Sequence, residues 1–277
     1  MTTYEIAGGG GLPISVQEFG NPDGVPILFI HGLMQCGLSW THQTSRPLAQ
    51  SFRLLCMDVR GHGMSGRAAT ATGYQDSQFF AEDVAAVIGT LGLNRPILVG
   101  ASYAGLVIND YLSVYGDAKL GGINYVASTV YFGSDKANAH LGEGLLALVP
   151  GLLSNDTAEN IAATRDFVRL FYADEPSREV IETVLAYNMM VPVDVRTALA
   201  SRELDGDAAM AAVRCPVLIT HGLKDAVVKP SMSEAIKARI PHADVSLFPD
   251  AGHTTYGEDP ERFNRDLAAF AKARDLA

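Results

Sequence analysis

The sequence predicts an α/β fold with a mostly parallel central sheet and helices on both of its faces, and two observations predict it. Short apolar runs alternate along the chain with stretches of helical periodicity, which is the pattern of βαβ units. Several runs are solid Val, Ile and Leu without alternation, as in parallel strands buried on both faces. The predicted strands are Ile14 to Phe19, Ile27 to Ile30, Leu54 to Met57, Ile97 to Val99, Ile123 to Ala127, Val217 to Ile219 and Val245 to Phe248.

The composition is that of a folded domain with a sizeable core. Of its 277 residues, 48% are hydrophobic and 19% are charged. The formal net charge of -10 argues against nucleic acid or an anionic membrane as a partner. Three cysteines are too few for a disulfide framework, no signal peptide is recognisable, and no apolar run approaches the ~18 residues of a membrane span. We expect a cytoplasmic protein that acts on a small molecule; its oligomeric state, a homodimer included, stays open.

The chain begins with a predicted hairpin. Tyr4-Glu5-Ile6 and the first long strand flank four consecutive glycines, Gly8 to Gly11. A phosphate-binding loop is the alternative, but no Lys-Ser or Lys-Thr follows and no helix begins there. Further along, two amphipathic helices are predicted, from Asp76 to Leu91 and from about Pro260 to Lys272, because their apolar residues recur at helical spacing.

One region interrupts the alternation of strands and helices. From about residue 130 to residue 213 the pattern is helical and strand-free, and we expect residues 131–213 to form a helical lid inserted into a core made of residues 1–130 and 214–277. The alternative is a helical domain that only completes the core. The candidate helices are Leu141 to Leu148, Thr157 to Tyr172, Arg178 to Met189 and Val193 to Glu203, with Pro150, Pro176 and Pro192 between or within them.

Polar or glycine-rich segments follow five of the predicted strands. In an open parallel sheet this is the edge where ligands bind. The segments are His31-Gly-Leu-Met, Asp58-Val-Arg-Gly-His-Gly-Met-Ser65, Gly-Ala-Ser102-Tyr-Ala-Gly, Thr-His-Gly-Leu-Lys-Asp225 and Pro-Asp-Ala-Gly-His253.

The segment around Ser102 has two interpretations, an ordinary strand-to-helix turn or a turn that exposes a nucleophile. A serine that attacks a carbonyl needs a base for its proton, an acid that orients the base, and donors for the oxyanion. The order Ser102, Asp225, His253 meets the first two needs in the sequence expected for an α/β-hydrolase.

The chain resembles the α/β-hydrolase superfamily over nearly its whole length. It is most similar to the lidded, cofactor-free serine hydrolases that include esterases, haloperoxidase-like perhydrolases and ring-cleavage product hydrolases. Ser102 then lies in a nucleophile elbow, with small residues at Gly100, Ala104 and Gly105. The family usually has glycine at the position of Ala104. The matching pieces are His31-Gly32, Asp58 to Ser65, the Ser102 turn, Gly222 to Asp225, and Gly252-His253 followed by Glu258 to Asn264.

The resemblance implies a role for each site residue. Ser102 is the expected nucleophile, His253 the general base and Asp225 the acid that orients His253. The backbone N–H groups of Leu33 and Tyr103 are expected to form the oxyanion hole. Of the remaining histidines, His31 and His221 are interpreted as structural hydrogen-bonding residues and His62 as a residue that fixes a turn. Asp250 and Asp58 are less suitable acids than Asp225, and no motif for a metal or a nucleotide cofactor is present.

Serine at the elbow argues against dehalogenases and epoxide hydrolases, which have aspartate there. Leu33-Met34 differs from the Phe-Pro or Trp-Pro of perhydrolases, and the residues after His31 and His253 differ from those of ring-cleavage hydrolases. Hydrolysis of a small, largely apolar ester or lactone (EC 3.1) is therefore the leading hypothesis. Carbon–carbon bond hydrolysis, perhydrolysis and a non-catalytic ligand receptor are the alternatives. The predicted pocket residues are Met34, Trp40, Phe171, Tyr187 and Met190.

Overall fold

The secondary structure follows the predicted alternation of strands and helices in a computed structural model that describes residues 1–45 and 47–273. The strands are β1 (Thr2–Ala7), β2 (Pro13–Gly20), β3 (Val25–Ile30), β4 (Phe52–Met57), β5 (Ile97–Ala101), β6 (Gly122–Val126), β7 (Tyr131–Phe132), β8 (Leu204–Asp205), β9 (Val217–Gly222) and β10 (Asp244–Phe248). The helices are α1 (Leu48–Ser51), α2 (Thr72–Gln75), α3 (Ser77–Thr90), α4 (Ala104–Tyr115), α5 (Asp135–Asn138), α6 (Glu143–Leu152), α7 (Thr157–Arg169), α8 (Arg178–Met189), α9 (Val193–Ala200), α10 (Asp207–Ala211), α11 (Ser231–Arg239), α12 (Thr255–Glu258) and α13 (Pro260–Ala273).

Eight strands form one sheet in the order β1-β2-β4-β3-β5-β6-β9-β10. The hairpin of β1 and β2 is antiparallel, and β2 pairs antiparallel with β4, whereas all other pairs in this sheet are parallel. In the register, Ile30 of β3 lies beside Gly100 of β5, which lies beside Tyr125 of β6. The carboxyl ends of neighbouring strands therefore meet at one edge, as the sequence predicts.

The sheet separates two apolar clusters, because successive side chains of a strand point to opposite faces. Leu28 and Ile30 of β3 belong to the cluster that includes residues of α3 and α4. Ile27 and Phe29 of the same strand belong to the cluster that includes Phe263 and Leu267 of α13. Helices on both faces of a mostly parallel sheet confirm the predicted fold class. None of the helices within the described residues is long and apolar enough to cross a membrane.

Residues 131–213 are mostly helical, with one correction to the prediction. The segment is not free of strands, because the two-residue strands β7 and β8 pair antiparallel, with Tyr131 opposite Asp205 and Phe132 opposite Leu204. They pair where the chain leaves and re-enters the core. Strands of two residues are too short to show a recognisable hydrophobic period in the sequence. Helix α8 has the predicted bounds. Helix α6 begins two residues later than predicted, and α9 ends earlier than predicted, at Ala200.

Helix α7 ends at Arg169, three residues before the predicted end. The residues that follow it form hydrogen bonds with the loop after β10. The carbonyl of Phe171 accepts hydrogen bonds from the N–H groups of His253 and Thr254, at 2.9 and 3.2 Å. The N–H of Ala173 donates to Glu258 Oε2 at 2.7 Å. A chain that continued as a helix would not present these groups to the loop after β10. The end of α7 therefore anchors the helical segment beside His253.

Within the helical segment, the buried side chain of Arg196 joins several helices. Its guanidinium donates to the carbonyls of Leu152 and Asn188, near the ends of α6 and α8, at 3.3 and 2.9 Å, and to Asn160 Oδ1 of α7 at 3.0 Å. Carbonyls at helix carboxyl ends carry partial negative charge. They offset the buried positive charge, which forms no salt bridge within the described residues.

Candidate active site

Ser102 lies on a sharp turn between β5 and α4, with a φ of 55°. A non-glycine residue in this left-handed region costs about 1–3 kcal/mol and persists only where neighbours hold it. Here the N–H of Ser102 donates to the carbonyl of Val126, and the N–H groups of Gly105 and Thr129 donate to the carbonyl of Ser102, all at 3.0 Å. Three hydrogen bonds thus hold the backbone of Ser102. Its Oγ makes no hydrogen bond to any residue that the structure describes.

Small neighbours make this turn sterically feasible. A Cβ on Gly105 would lie 2.5 Å from the carbonyl oxygen of Thr129. A Cβ on Gly100 would lie 3.2 Å from the Cβ of Ala104 and 2.6 Å from Ile108 Cδ1. Ala104 itself is fully buried. The methyl group by which Ala104 differs from the usual glycine is therefore accommodated because residue 100 has no side chain.

Asp225 and His253 are joined by a short hydrogen bond between two strand ends. Asp225 follows β9, His253 follows β10, and His253 Nδ1 lies 2.7 Å from Asp225 Oδ2. The N–H groups of Val227 and Val228 donate to Asp225 Oδ1 at 2.8 and 2.9 Å. Burial alone would raise the pKa of Asp225, but hydrogen bonds and charge from His253 and His221 outweigh it and lower this pKa to about 2. The carboxylate is ionised and can only accept, so Nδ1 of His253 donates to it, which leaves Nε2 to take up a proton.

Glu258 supports the loop of His253, a role that no motif in the sequence indicated. Its carboxylate accepts from the N–H of Gly252 at 3.0 Å and from the N–H of Thr254 at 3.2 Å, on either side of His253. The ring of His253 also packs against Phe171, with 5.9 Å between ring centroids. The only sequence signal for Glu258 was its place in the segment that matches the hydrolase pattern.

The loops of Asp225 and His253 approach each other at Gly222. A Cβ at this position would collide with the carbonyl oxygens of Gly252 and Ala251. We expect Gly222→Ala to lower the free energy of unfolding by about 2 kcal/mol or more, because backbone must move. Urea unfolding measures this, with Gly89→Ala as the matched control: a Cβ on Gly89 meets nothing within 4 Å, and alanine should stabilise helix α3 by roughly 0.5–1 kcal/mol. Equal effects of the two substitutions would contradict the close approach.

A cavity of about 360 Å³ lies at Ser102, lined by Leu33, Met34 and Tyr103 of the core. The helical segment contributes the apolar residues Leu141, Leu145, Leu146, Val149, Leu152, Leu153 and Phe167. Among the described lining residues, Arg196 is the only charged one. The lining therefore suits an apolar ligand, and the helical segment forms much of the wall opposite the sheet.

The backbone N–H groups of Leu33 and Tyr103 donate to no group within the described residues. The next N–H, that of Met34, is engaged, since it lies 3.1 Å from His62 Nε2. Gly32 packs against Ser102, where an added Cβ would lie 3.0 Å from the Cβ of Ser102. The two expected oxyanion donors are thus unengaged and border the cavity that contains the serine.

The structural interpretation of His31 and His62 is confirmed. His31 Nε2 accepts from the N–H of Val59 at 3.0 Å, and its Nδ1 lies 2.8 Å from the carbonyl of Gly32. His62 Nδ1 lies 3.0 Å from the carbonyl of Arg60. Burial is the main cause that lowers the pKa of His31 to about 4 and that of His62 to about 3. Both rings are neutral near pH 7 and fix the loops that carry Leu33 and Met34.

Four of the five predicted pocket residues lie outside the Ser102 cavity, and only Met34 lines it. Trp40 is fully buried behind the site, with its ring 4.9 Å from that of Phe29 and 4.4 Å from that of Tyr256. Phe171 and Tyr187 line a neighbouring cleft of about 750 Å³. Met190 is 47% exposed. None of these four residues lines the Ser102 cavity: Trp40 packs in the core, and the positions of the other three depend on how the helical segment packs.

Comparison with known proteins identifies the family of the chain. A family model described as "Alpha/beta hydrolase family" matches residues 27–266, most of the chain. The chain belongs to this family. No group of three or more His, Cys, Asp or Glu side chains that could hold a metal ion occurs within residues 1–45 and 47–273.

Relatives of this α/β hydrolase include esterases. The esterase RhEst1 from Rhodococcus sp. ECU1013 superposes with a TM-score of 0.92 and 32% identity, covering 99% of each chain. The bifunctional esterase/perhydrolase DCH of Acinetobacter calcoaceticus is 27% identical over 274 residues, 95% of this chain and 97% of the relative. The AB hydrolase superfamily protein YisY of Bacillus subtilis is 26% identical over 262 residues, 93% of this chain and 95% of the relative. The chain is accordingly an enzyme of the hydrolase class.

Proposed function

We propose that this enzyme hydrolyses small, largely apolar carboxylic esters or lactones through an acyl-enzyme on Ser102. The observation that carries the proposal is the unengaged hydroxyl of Ser102, on a turn with positive φ, at the wall of a mostly apolar cavity. A serine whose only role was to complete a strand-to-helix turn would gain nothing from a strained backbone. The esterase relatives support the same reaction class.

In the proposed mechanism, Ser102 Oγ attacks the carbonyl carbon of the ester and His253 Nε2 takes the hydroxyl proton. Asp225, 2.7 Å from Nδ1, keeps the ring in the required tautomer and stabilises the imidazolium. The N–H groups of Leu33 and Tyr103 donate to the oxyanion, and each such donor is worth about 3 kcal/mol of transition-state stabilisation.

The tetrahedral intermediate then breaks its bond to the alcohol oxygen, which receives the proton from His253 Nε2. Water attacks the acyl-enzyme by the same route, with His253 as base, and releases the acid and the free serine. We propose that residues 131–213 act as a lid, because their apolar side chains complete the cavity in which these steps take place.

The cavity volume leads to a substrate-size prediction. We expect kcat/KM for nitrophenyl esters to be highest for short and medium acyl chains and to fall about tenfold or more for long chains, since one or two unaccommodated methylenes cost roughly 1–3 kcal/mol. The measurement is a series from acetate to dodecanoate at fixed pH below micelle formation. Val149 lines the cavity, so Val149→Ala enlarges it and should move the highest kcat/KM to longer acyl chains. A preference for long chains in the parent enzyme would contradict this size limit.

Perhydrolysis is the second candidate, and the bifunctional esterase/perhydrolase DCH is the observation that favours it. Leu33-Met34 stands where perhydrolases usually have Phe-Pro or Trp-Pro. Peracid formation from acetate and hydrogen peroxide, compared with ester turnover in the same preparation, separates the two activities.

The test of the proposed function is the intact mass after incubation with a fluorophosphonate. We expect one adduct on the wild-type protein and none on Ser102→Ala. Multiple turnover of nitrophenyl acetate by the wild type distinguishes an enzyme that releases its product from a receptor that retains it. No adduct on a folded wild-type protein, or an equal adduct on the variant, would refute Ser102 as the nucleophile.

A further inference from the structure

The oxygen of Asp225 that holds His253 also contacts a second histidine. Asp225 Oδ2 lies 2.7 Å from His253 Nδ1 and 3.1 Å from His221 Nε2. His221 is in β9, four residues before Asp225, and is completely buried. Two rings therefore share one carboxylate oxygen, and only one of them, His253, has a role in the proposed mechanism.

The neighbours of His221 determine its tautomer. Nε2 lies 2.9 Å from the carbonyl of Val228, which can only accept, so Nε2 carries a proton. Nδ1 lies 2.5 Å from Ser233 Oγ of α11 and accepts the hydroxyl proton in the neutral ring. The single N–H at Nε2 therefore donates to two acceptors, the Val228 carbonyl and Asp225 Oδ2. Among the described residues, Asp225 is the only charged group that contacts His221.

We propose that His221 is a positioning residue that sets the orientation of Asp225 and the strength of its hold on His253. The inference rests on the proposed function, since it concerns the same site. Two backbone N–H groups hold Oδ1 of Asp225, and His221 is the side chain that holds Oδ2 together with His253. His221 donates there and offsets part of the negative charge that faces His253.

The consequence for catalysis has a defined sign. Without the His221 donor, the negative charge of the carboxylate is offset less, and it stabilises the imidazolium form of His253 more strongly. The free enzyme then loses its base at a higher pH, and the acid limb of kcat/KM against pH moves upward. With one hydrogen bond fewer at Oδ2, the carboxylate orients His253 less well, so we expect kcat to fall. Asp225 does not line the Ser102 cavity, so we expect KM to change little.

Three variants test the proposal. His221→Leu removes the donor, and we expect kcat to fall about ten- to hundredfold, the effect of losing one hydrogen bond to a charged group, with KM within about twofold. His221→Gln places an amide N–H near the position of Nε2 and should restore most of the loss. Ser233→Ala, which leaves the Nε2 contacts in place, should stay close to wild type. Active-site titration with a fluorophosphonate normalises each kcat.

A spectroscopic measurement makes the test independent of turnover and of whether His221→Leu folds well. We expect the proton on His253 Nδ1, which is hydrogen-bonded to Asp225, to give a downfield NMR signal in the resting protein. This signal should shift in His221→Gln and His221→Leu but not in Ser233→Ala. Unchanged kcat, acid limb and Nδ1 signal in folded variants would refute the positioning role and leave the proposed function standing. Absence of a fluorophosphonate adduct on the wild type would instead refute the proposed function, while the Nδ1 signal would still decide whether His221 acts on Asp225.

Discussion

Replacing Ser102 by alanine is expected to reduce ester turnover by roughly 10⁴-fold or more, the loss typical of removing a nucleophile. The free energy of unfolding should change by less than about 1 kcal/mol, because Ser102 Oγ makes no hydrogen bond within the described residues. The measurements are kcat with a nitrophenyl ester and urea unfolding of both proteins. Alanine keeps a Cβ at the strained position, so the turn itself is not altered.

Ser65→Ala provides the matched control for this experiment. Ser65 is buried, and its Oγ accepts from the N–H of Ser15 at 2.8 Å and donates to the carbonyl of Asp58 at 2.6 Å. Its loss should lower the free energy of unfolding by about 1–3 kcal/mol and leave kcat nearly unchanged. If Ser102→Ala kept its turnover, or if both variants lost activity equally, Ser102 would not be the nucleophile.

The second large effect concerns the pair that serves the nucleophile. We expect His253→Ala to cost roughly 10⁶-fold in kcat and Asp225→Asn roughly 10⁴-fold, the order found where base and acid were removed separately from a serine protease. An asparagine oxygen can still accept from Val227 and Val228. Its NH₂ group then faces His253 Nδ1 and favours the wrong tautomer of the ring. Single-turnover kinetics over pH 5–9 measure both variants.

Asp250→Asn is the control for this pair. Asp250 precedes His253 by three residues, is exposed and pairs with Lys224 at 3.1 Å. An exposed pair of this kind contributes little, so its variant should retain wild-type kcat. A larger loss for Asp250→Asn than for Asp225→Asn would mean that the carboxylate serving His253 had been assigned to the wrong residue.

The order of the elements could be read from local patterns. All seven strands predicted from apolar runs are present, and helix α8 has its predicted bounds, because burial on both faces of a sheet and the 3.6-residue period leave local signals. The hydrogen bond between Asp225 and His253, made across 28 residues, was also expected. Both residues follow parallel strands, and parallel strands bring their carboxyl ends to one edge.

Contacts between segments that are distant in the sequence could not be read in this way. Trp40 was expected in the pocket but lies in the core behind it, because its ring packs between Phe29 and Tyr256. Glu258 holds the loop of His253, and the carbonyl of Phe171 accepts from His253 itself. Both contacts depend on where α7 ends against the loop after β10.

By itself, then, the sequence determined the fold, the family and the residues at the strand ends, since each of these depends on local periodicity or on a short motif. Only the tertiary structure decided which side chains line the cavity and that His221 contacts the same carboxylate oxygen as His253. The physical reason is that packing between a helical segment and a sheet edge is governed by shape and hydrogen-bond geometry. These properties belong to pairs of surfaces and leave no period in either segment alone.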